Sequence, residues 1–286
     1  MSISKFRMAL LQTAVSHNKK ENLDRASRLI KKAASAGAKV LCLPECFTFP
    51  YEPKYFPRYA EKIPGETSEM LSCSAKENQV YLVGGSMSES EAEKLYNTCL
   101  VYGPDGSMLA KHRKVHLFNV NIPGKIIFNE SEFLAAGHKV TTFDTPFCKV
   151  GVGICYDMAF SPFVLMYTQL GCKLLVFPGA FNMVTGPLYW EILSRCRAAE
   201  SQVYLASVSP ARDEAASYVN WGHSMLVNPS GKVIGSAASG EELVLADVDL
   251  DYLDLMRYQL PMSKHGRNDL YKIVTSTNGE TNATAS

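Results

Sequence analysis

The fold of this chain is decided by the stretch Val150-Gly151-Val152-Gly153-Ile154-Cys155-Tyr156-Asp157. The five residues before the cysteine are small or β-branched and predict a buried strand, and a helical pattern follows over residues 162–170. Cys155 therefore falls where a strand ends and the chain turns into a helix, which in an α/β sheet is an exposed crevice. Backbone N–H groups and a helix N-terminus there favour a thiolate and a developing oxyanion. The alternative is an ordinary small core residue, as most free cysteines are.

Strand and helix patterns alternate along most of the remaining chain. Strands are predicted at residues 6–12, 40–43, 80–84, 95–102, 108–113, 147–154, 174–177, 203–207 and 243–248, and helices at 22–36, 68–77, near Phe163, near Leu188 and at 251–258. Two hairpins are predicted to turn at Gly103-Pro104-Asp105-Gly106 and Asn228-Pro229-Ser230-Gly231. Alternation mixed with hairpins indicates a layered α/β architecture that contains antiparallel pairs.

Length and linker composition predict one domain. The chain has 286 residues, which suits a single large α/β domain, and no linker rich in Pro, Gly or Ser divides it. We therefore expect one domain over residues 1–274. The segment 275–286 is polar and low in apolar residues, so it is expected to be a disordered tail.

Composition excludes several classes of partner. A net charge of +1 indicates neither a nucleic acid nor a membrane surface as partner. No window approaches ~18 unbroken apolar residues, and the first residues lack the apolar core of a targeting peptide. The eight cysteines form no disulfide framework, and no C-x-x-C or histidine pair has metal spacing. We expect reduced thiols, no metal and a cytoplasmic location, with a mitochondrial pool left open.

Three further segments carry candidate catalytic groups. Glu45 follows the predicted buried strand at 40–43, so it is expected on the same rim as Cys155, where partial burial raises a carboxyl pKa enough to move a proton. Lys114 lies in a basic run after a strand and could supply a positive charge to an oxyanion. Glu130 lies in Asn129-Glu130-Ser131 and is a weak signal by itself. The alternative for each is a solvated loop or edge residue.

Together these segments resemble the nitrilase superfamily, the carbon–nitrogen hydrolases with a Glu-Lys-Cys triad. The triad corresponds to Glu45 in LPEC, Lys114 in HRKVHLF and Cys155 in GICYD, and the second family glutamate corresponds to Glu130 in NESE. The resemblance covers about residues 6–271. Within the superfamily the chain is similar to the omega-amidase branch, on the segments FTFPY, KLYNTCLVYGPDG, GAFNMVTGPLYWE, VSPARDEAASYVNWGHS and RNDLY.

The resemblance implies a fold and a reaction. The implied fold is a four-layer αββα sandwich of the nitrilase type, paired across helices in a homodimer or a larger homo-oligomer. The implied reaction hydrolyses the terminal primary amide of a small oxo-dicarboxylic acid, with α-ketoglutaramate and α-ketosuccinamate as the branch's substrates. No cofactor is implied, because a thiol, a carboxyl and an ammonium cover every step.

The resemblance also implies a role for each site residue. Cys155 attacks the amide carbonyl, and Glu45 moves the proton. Lys114 and the backbone N–H of Tyr156 hold the oxyanion. Glu130 orients Lys114 and the amide nitrogen. In the substrate pocket, Tyr51 and Thr185 match family positions.

One position departs from the family. Where the family reads C-Y-D-x-R-F this chain has Ala159, so the arginine that grips the substrate carboxylate is missing. An Arg–carboxylate pair contributes roughly 1.5–3 kcal/mol, so its loss should weaken binding about ten- to a hundredfold. Arg195 or Arg212 could replace it, the substrate could be a less acidic or larger amide, or the chain could be a weak enzyme. We favour the first two, because the triad and Glu130 are present.

Other functions compete with the omega-amidase hypothesis. The chain could be an amidase of another nitrilase branch, such as one that acts on deaminated glutathione, and the same triad also hydrolyses nitriles. It could instead be a weakly active scaffold protein, although an inactive relative would be expected to have lost a triad member. A thiol-redox protein needs a resolving cysteine, which the cysteine spacing does not supply.

Overall fold

Fifteen strands form the centre of the computed structural model, which describes residues 4–267, 269–271 and 273. The predicted tail, residues 275–286, lies outside the described residues. Numbered in chain order, the strands are β1 Lys5–Gln12, β2 Ala38–Cys42, β3 Tyr81–Val83, β4 Met87–Glu91, β5 Lys94–Tyr102, β6 Met108–Arg113, β7 Asn119–Ile122, β8 Ile126–Asn129, β9 Thr141–Asp144, β10 Lys149–Val152, β11 Leu174–Pro178, β12 Tyr204–Val208, β13 Met225–Val227, β14 Val233–Ser236 and β15 Glu242–Asp249.

Seven helices accompany these strands in the described part of the chain. They are α1 Lys19–Ser35, α2 Phe56–Tyr59, α3 Glu66–Asn78, α4 Ser161–Gln169, α5 Glu191–Ser201, α6 Leu250–Gln259 and α7 Met262–His265. Short helical turns occur at Pro53–Tyr55, Glu130–Glu132, Cys155–Ala159 and Gly186–Trp190. No helix in this part of the chain is both long enough and apolar enough to cross a membrane.

The strands form two large sheets and one small hairpin. The first sheet has the order β15-β1-β2-β3-β5-β4, with β6 paired to β5, and the second has the order β14-β13-β12-β11-β10-β9. Each contains a parallel core, β1-β2-β3 in the first and β10-β11-β12 in the second, flanked by antiparallel strands. The hairpin consists of β7 and β8. Parallel cores with antiparallel edges agree with the predicted mixture of crossovers and hairpins.

The side chains of β1 point alternately to the two faces of the first sheet, which shows the order of the layers. Phe6, Met8 and Leu10 pack into one core with β10, β11 and β12, so this core lies between the two sheets. Ala9 and Leu11 point the other way and pack with α1 and α3. The outer face of the second sheet packs against α4 and α5. The order of layers is therefore helix, sheet, sheet, helix, as the αββα prediction requires.

Both predicted hairpin turns are confirmed. In the first turn Gly106 N donates to Gly103 O at 2.9 Å, and in the second Gly231 N donates to Asn228 O at the same distance. Gly106 and Gly231 have φ values of +83° and +77°, which glycine adopts without steric cost. The turns join β5 to β6 and β13 to β14.

Four strands were not predicted: β4, β7, β8 and β9. The sequence of β4, Met-Ser-Glu-Ser-Glu, is polar, yet its Glu89 is buried because Arg113 and Lys111 donate to it at 2.7 and 2.8 Å. Burial alone would raise the pKa of Glu89, but the hydrogen bonds from these two cations lower it to about 2. An ion-paired strand of this kind has no apolar alternation for a pattern to detect.

Candidate active site

Lys114 is the centre of a fully buried ionic cluster. Its Nζ lies 2.9 Å from Glu45 Oε1 and 3.0 Å from Glu130 Oε1. All three side chains have no solvent exposure. Tyr51 completes the cluster, because its hydroxyl donates to Glu130 Oε1 at 2.5 Å and lies 3.2 Å from Lys114 Nζ. The structure thus brings together three predicted catalytic residues that are far apart in sequence.

Three of the candidate catalytic residues lie shortly after the end of a strand. Glu45 follows β2, Lys114 follows β6, and Cys155 follows β10. The backbone of Lys114 is fixed on both sides, since its N–H donates to Asn97 O at 2.9 Å and its carbonyl accepts from Gly137 N at 2.8 Å. β2 belongs to the parallel core of the first sheet and β10 to that of the second, so the acid and the thiol come from different sheets.

Cys155 stands at a sharp turn. Its φ is +51°, in the left-handed region that costs a non-glycine residue roughly 1–2 kcal/mol. The side chain is 4% exposed and forms part of a cavity wall. The Cys155 thiol and the Glu45 carboxyl influence each other's pKa, so the two groups are neighbours. Within the described part of the chain Glu45 Oε2 has no hydrogen-bond partner, which leaves that oxygen free to accept a proton.

Burial sets the protonation states of the cluster. It raises the pKa of Glu45, and Lys114 only partly opposes that shift. Burial also opposes the charge of Lys114, but Glu130 and Glu45 raise its pKa well above the usual value. Burial and the Glu45 charge raise the pKa of the Cys155 thiol well above its usual value. This direction opposes the thiolate that was expected at the crevice and favours a thiol that passes its proton to a base.

Asp157 is a site residue that sequence reasoning missed. Its Oδ1 accepts from His116 N, and its Oδ2 accepts from Ile154 N, at 2.8 and 2.9 Å. The rings of His116 and His112 lie 2.8 and 3.1 Å from the same carboxylate. Burial would raise the pKa of Asp157, but the hydrogen bonds from His112 and His116 hold it well below its usual range. One carboxylate thus ties the Cys155 turn to the segment after Lys114.

Asn97 is a second missed residue. Its Nδ2 donates to Glu45 Oε1 at 2.8 Å, so Glu45 is held by an amide as well as by Lys114. The signal for both missed residues was in the quoted motifs. Asp157 ends GICYD, both histidines flank Lys114 in HRKVHLF, and Asn97 lies in KLYNTCLVYGPDG. Their roles depend on contacts between distant segments, which no single motif displays.

A cavity of about 390 Å³ opens onto Cys155. Ala159 and Thr185, the predicted substrate-binding residues, line it, and so does Tyr156. The remaining lining residues are mostly apolar or aromatic: Phe118, Val120, Ile122, Ala180, Phe181, Tyr189, Leu193 and Tyr218. Tyr51 is buried behind the cavity against Glu130, so its geometry favours support of the ionic cluster over the predicted contact with substrate.

Neither proposed replacement for the missing arginine reaches this cavity. The Arg195 guanidinium bonds Glu191 and the carbonyl of Gly231. Arg212 bonds the carbonyl of Trp221 and lies over its ring. Neither side chain lines the cavity beside Cys155. The hypothesis that one of them binds the substrate carboxylate is thus not supported by the geometry.

No metal site accompanies the cluster. Among the described residues, no group of three or more His, Cys, Asp or Glu side chains is placed to hold a metal ion. The chemistry available at the site is that of a thiol with a neighbouring carboxyl and a buried ammonium. This set suits attack of sulfur on a carbonyl, transfer of the thiol proton and stabilisation of an oxyanion.

Comparisons with known proteins give a consistent result. Residues 7–258 match the family model described as carbon-nitrogen hydrolase. The chain is 56% identical to omega-amidase NIT2 of Xenopus tropicalis over 276 residues, which are 96% of this chain and 100% of that one. It is 56% identical to omega-amidase NIT2 of Danio rerio, covering 95% of this chain and 98% of that one.

A solved structure supports the same relationship. Nit3 of Saccharomyces cerevisiae, a member of branch 10 of the nitrilase superfamily, matches with a TM-score of 0.85 and 38% identity. The match covers 92% of this chain and 97% of that one. The predicted nitrilase-type α/β fold is thereby confirmed for one subunit.

Proposed function

This chain belongs to the carbon–nitrogen hydrolase family, and from that membership we propose that it is an omega-amidase. It hydrolyses the terminal primary amide of small oxo-dicarboxylic acid monoamides, such as α-ketoglutaramate and α-ketosuccinamate, to the diacid and ammonia. The observation that carries the proposal is the buried Glu45–Lys114 pair beside the Cys155 thiol at a cavity wall. The 56% identity to omega-amidases over nearly the whole chain supports the substrate class.

Glu45 and Cys155 begin the reaction. Because the pKa of the thiol is raised, the sulfur needs a base, and the free Oε2 of Glu45 is the neighbouring acceptor. Glu45 takes the thiol proton as the sulfur attacks the amide carbon, and it then delivers this proton to the departing ammonia. A carboxyl whose pKa is raised by burial suits both steps, since it holds the proton and also releases it.

Lys114 and the backbone N–H of Tyr156 stabilise the tetrahedral oxyanion. The Lys114 ammonium stays charged because two carboxylates raise its pKa, so it offers a permanent positive charge in a site without water contact. Glu130 and Tyr51 fix the position of that ammonium. Glu130 also accepts the Phe118 N–H at 2.6 Å, which keeps its carboxylate in place.

A second half-reaction regenerates the enzyme. Loss of ammonia leaves the acyl group as a thioester on Cys155. Water, activated by Glu45, attacks the thioester carbon and releases the acid and the free thiol. No metal or organic cofactor is required, because thiol, carboxyl and ammonium supply every step.

We also propose that the protein forms a homodimer or a larger homo-oligomer in the cytoplasm. The start of α5 and the turn before it present Leu188, Tyr189 and Ile192, which are 61%, 50% and 62% exposed. Apolar side chains clustered in this way suit contact with a second copy of the chain. All eight cysteines are free thiols, which a reducing compartment preserves.

The proposal is tested by ammonia release from α-ketoglutaramate, with succinamate and deaminated glutathione alongside. The expected result is turnover of α-ketoglutaramate that disappears in Cys155→Ala, the blank, because the thioester cannot form without the sulfur. Deaminated glutathione as the preferred substrate would instead assign the chain to another amidase branch. Absence of ammonia release from all three amides would favour a scaffold function.

A further inference from the structure

The part of the cavity that would hold the acyl chain of a substrate is lined by uncharged groups. Phe118, Val120 and Ile122, on or just before β7, form one wall, and other apolar and aromatic side chains form the rest. Two of its hydroxyls already have partners. Tyr218 donates to the carbonyl of Ala180 at 2.6 Å, and Thr185 Oγ1 lies 3.3 Å from Asn182 Oδ1. Of the described residues that line the cavity, none carries a charge.

Two cations close to this cavity are occupied. Lys114 is bound between Glu45 and Glu130, so the cluster holds one ammonium and two carboxyl groups. Arg197 lies behind Ala159, where it donates to the backbone carbonyls of Met158 and Ala159 at 3.0 and 2.9 Å. Its remaining nitrogen pairs with Glu200 at 3.0 Å. Arg197 therefore fixes the backbone of the cavity wall and has no free donor directed into the cavity.

A carboxylate and an apolar group differ sharply in the free energy of entering such a cavity. A carboxylate that enters loses water and finds no cation among the residues that line the cavity. An uncharged chain of the same shape loses no such hydration and gains contact with the apolar wall. The lining therefore favours neutral acyl chains over acidic ones, whatever reaction follows at Cys155.

We propose that this protein has a second activity, the hydrolysis of neutral aliphatic primary amides, at least as efficient as that on acid amides of equal size. The small side chain of Ala159 is the specificity determinant. The inference rests on the proposed amidase mechanism and widens its substrate class. The bond broken is the same amide C–N bond, with Cys155 as nucleophile and ammonia as leaving group.

A matched pair of substrates tests the proposal. Glutaramate carries a carboxylate at the end of a three-methylene chain, and 5-methylhexanamide carries an isopropyl group of the same shape there. We expect kcat/KM for 5-methylhexanamide to equal or exceed that for glutaramate, with both lost in Cys155→Ala. A preference of the unmodified enzyme for glutaramate, or absence of turnover of 5-methylhexanamide, overturns the inference.

Ala159→Arg supplies the missing charge and reverses the expected order. Its kcat/KM for glutaramate should rise about ten- to a hundredfold, chiefly through a lower KM, while that for 5-methylhexanamide should stay level or fall. The matched control is Ile234→Arg, which adds the same charge on β14, at a residue that does not line the cavity. An unchanged or higher KM for glutaramate in Ala159→Arg also overturns the inference.

The two proposals fail in different ways. Loss of Cys155-dependent turnover on α-ketoglutaramate removes the omega-amidase function. Turnover of α-ketoglutaramate together with preference for glutaramate over 5-methylhexanamide leaves that function standing and removes only the neutral-amide activity.

Discussion

Replacement of Glu45 by glutamine is expected to lower kcat about 10³-fold with the fold unchanged. The glutamine oxygen can occupy the position of Oε1 and keep the hydrogen bonds from Lys114 and Asn97. Its nitrogen replaces Oε2, the oxygen that has no partner within the described part of the chain. An amide nitrogen accepts no proton, so the Cys155 thiol, whose pKa is raised by burial, has no base to take its proton.

The pH profile separates this loss from a change in packing. The active form of Glu45 is the carboxylate, and burial raises its pKa, so activity of the unmodified enzyme should fall as the pH drops through that raised pKa. Glu45→Gln should lose this acid limb. A kcat within tenfold of the unmodified enzyme, with the acid limb retained, would assign the proton transfer to another group.

Replacement of Lys114 by methionine should lower kcat nearly as much as Glu45→Gln does, and it should lower the free energy of unfolding more. Removal of one oxyanion donor typically lowers kcat about 10²–10³-fold. The change also leaves Glu45 and Glu130 buried without their shared cation, and breaking a buried ion pair in this way costs about 3–5 kcal/mol. Urea unfolding measures the stability loss, and ammonia release measures the catalytic one.

A double variant distinguishes the two effects of Lys114. In Lys114→Met with Glu130→Gln, one of the two uncompensated carboxylates becomes neutral, so much of the lost stability should return. Activity should remain at the level of the single variant, because no ammonium faces the oxyanion. Recovery of activity together with stability would mean that Lys114 acts only through the fold.

The order of motifs predicted the site better than any single motif did. Glu45 and Cys155 each follow a buried strand, but β2 and β10 belong to different sheets, so the rule for parallel strands of one sheet did not by itself bring the two side chains together. Lys114 and Glu130 carried weak signals by themselves and gained their meaning from the resemblance. The structure places all four at one site, with Lys114 between the two carboxylates.

Features that depend on contacts between distant segments were not predicted. Asp157 takes part in four hydrogen bonds, two with His116, one with His112 and one with Ile154 N, and none of these can be inferred from the spacing of residues in GICYD. The polar strand β4 is stabilised by the Glu89–Arg113 pair, a partner on another strand. The thiolate expectation left out the burial of Cys155, which raises the pKa of its thiol.

The hairpin formed by β7 and β8 was missed although a turn signal was present. Pro123-Gly124 lies between the two strands, Gly124 has a φ of +72°, and Lys125 N donates to Ile122 O at 3.0 Å. The strands are only four residues each, which is too short for a pattern of alternation to stand out. This hairpin is part of the cavity wall, so it bears on substrate choice.

The most direct measurement of the central claim is the intact mass of the enzyme quenched with acid during turnover of α-ketoglutaramate. The expected species is heavier by the substrate minus ammonia, carries the added mass on the peptide that contains Cys155, and is absent from Cys155→Ala. Steady ammonia release with no adduct on Cys155, or with full activity in Cys155→Ala, would contradict the thioester mechanism and the assignment of Cys155 as its nucleophile.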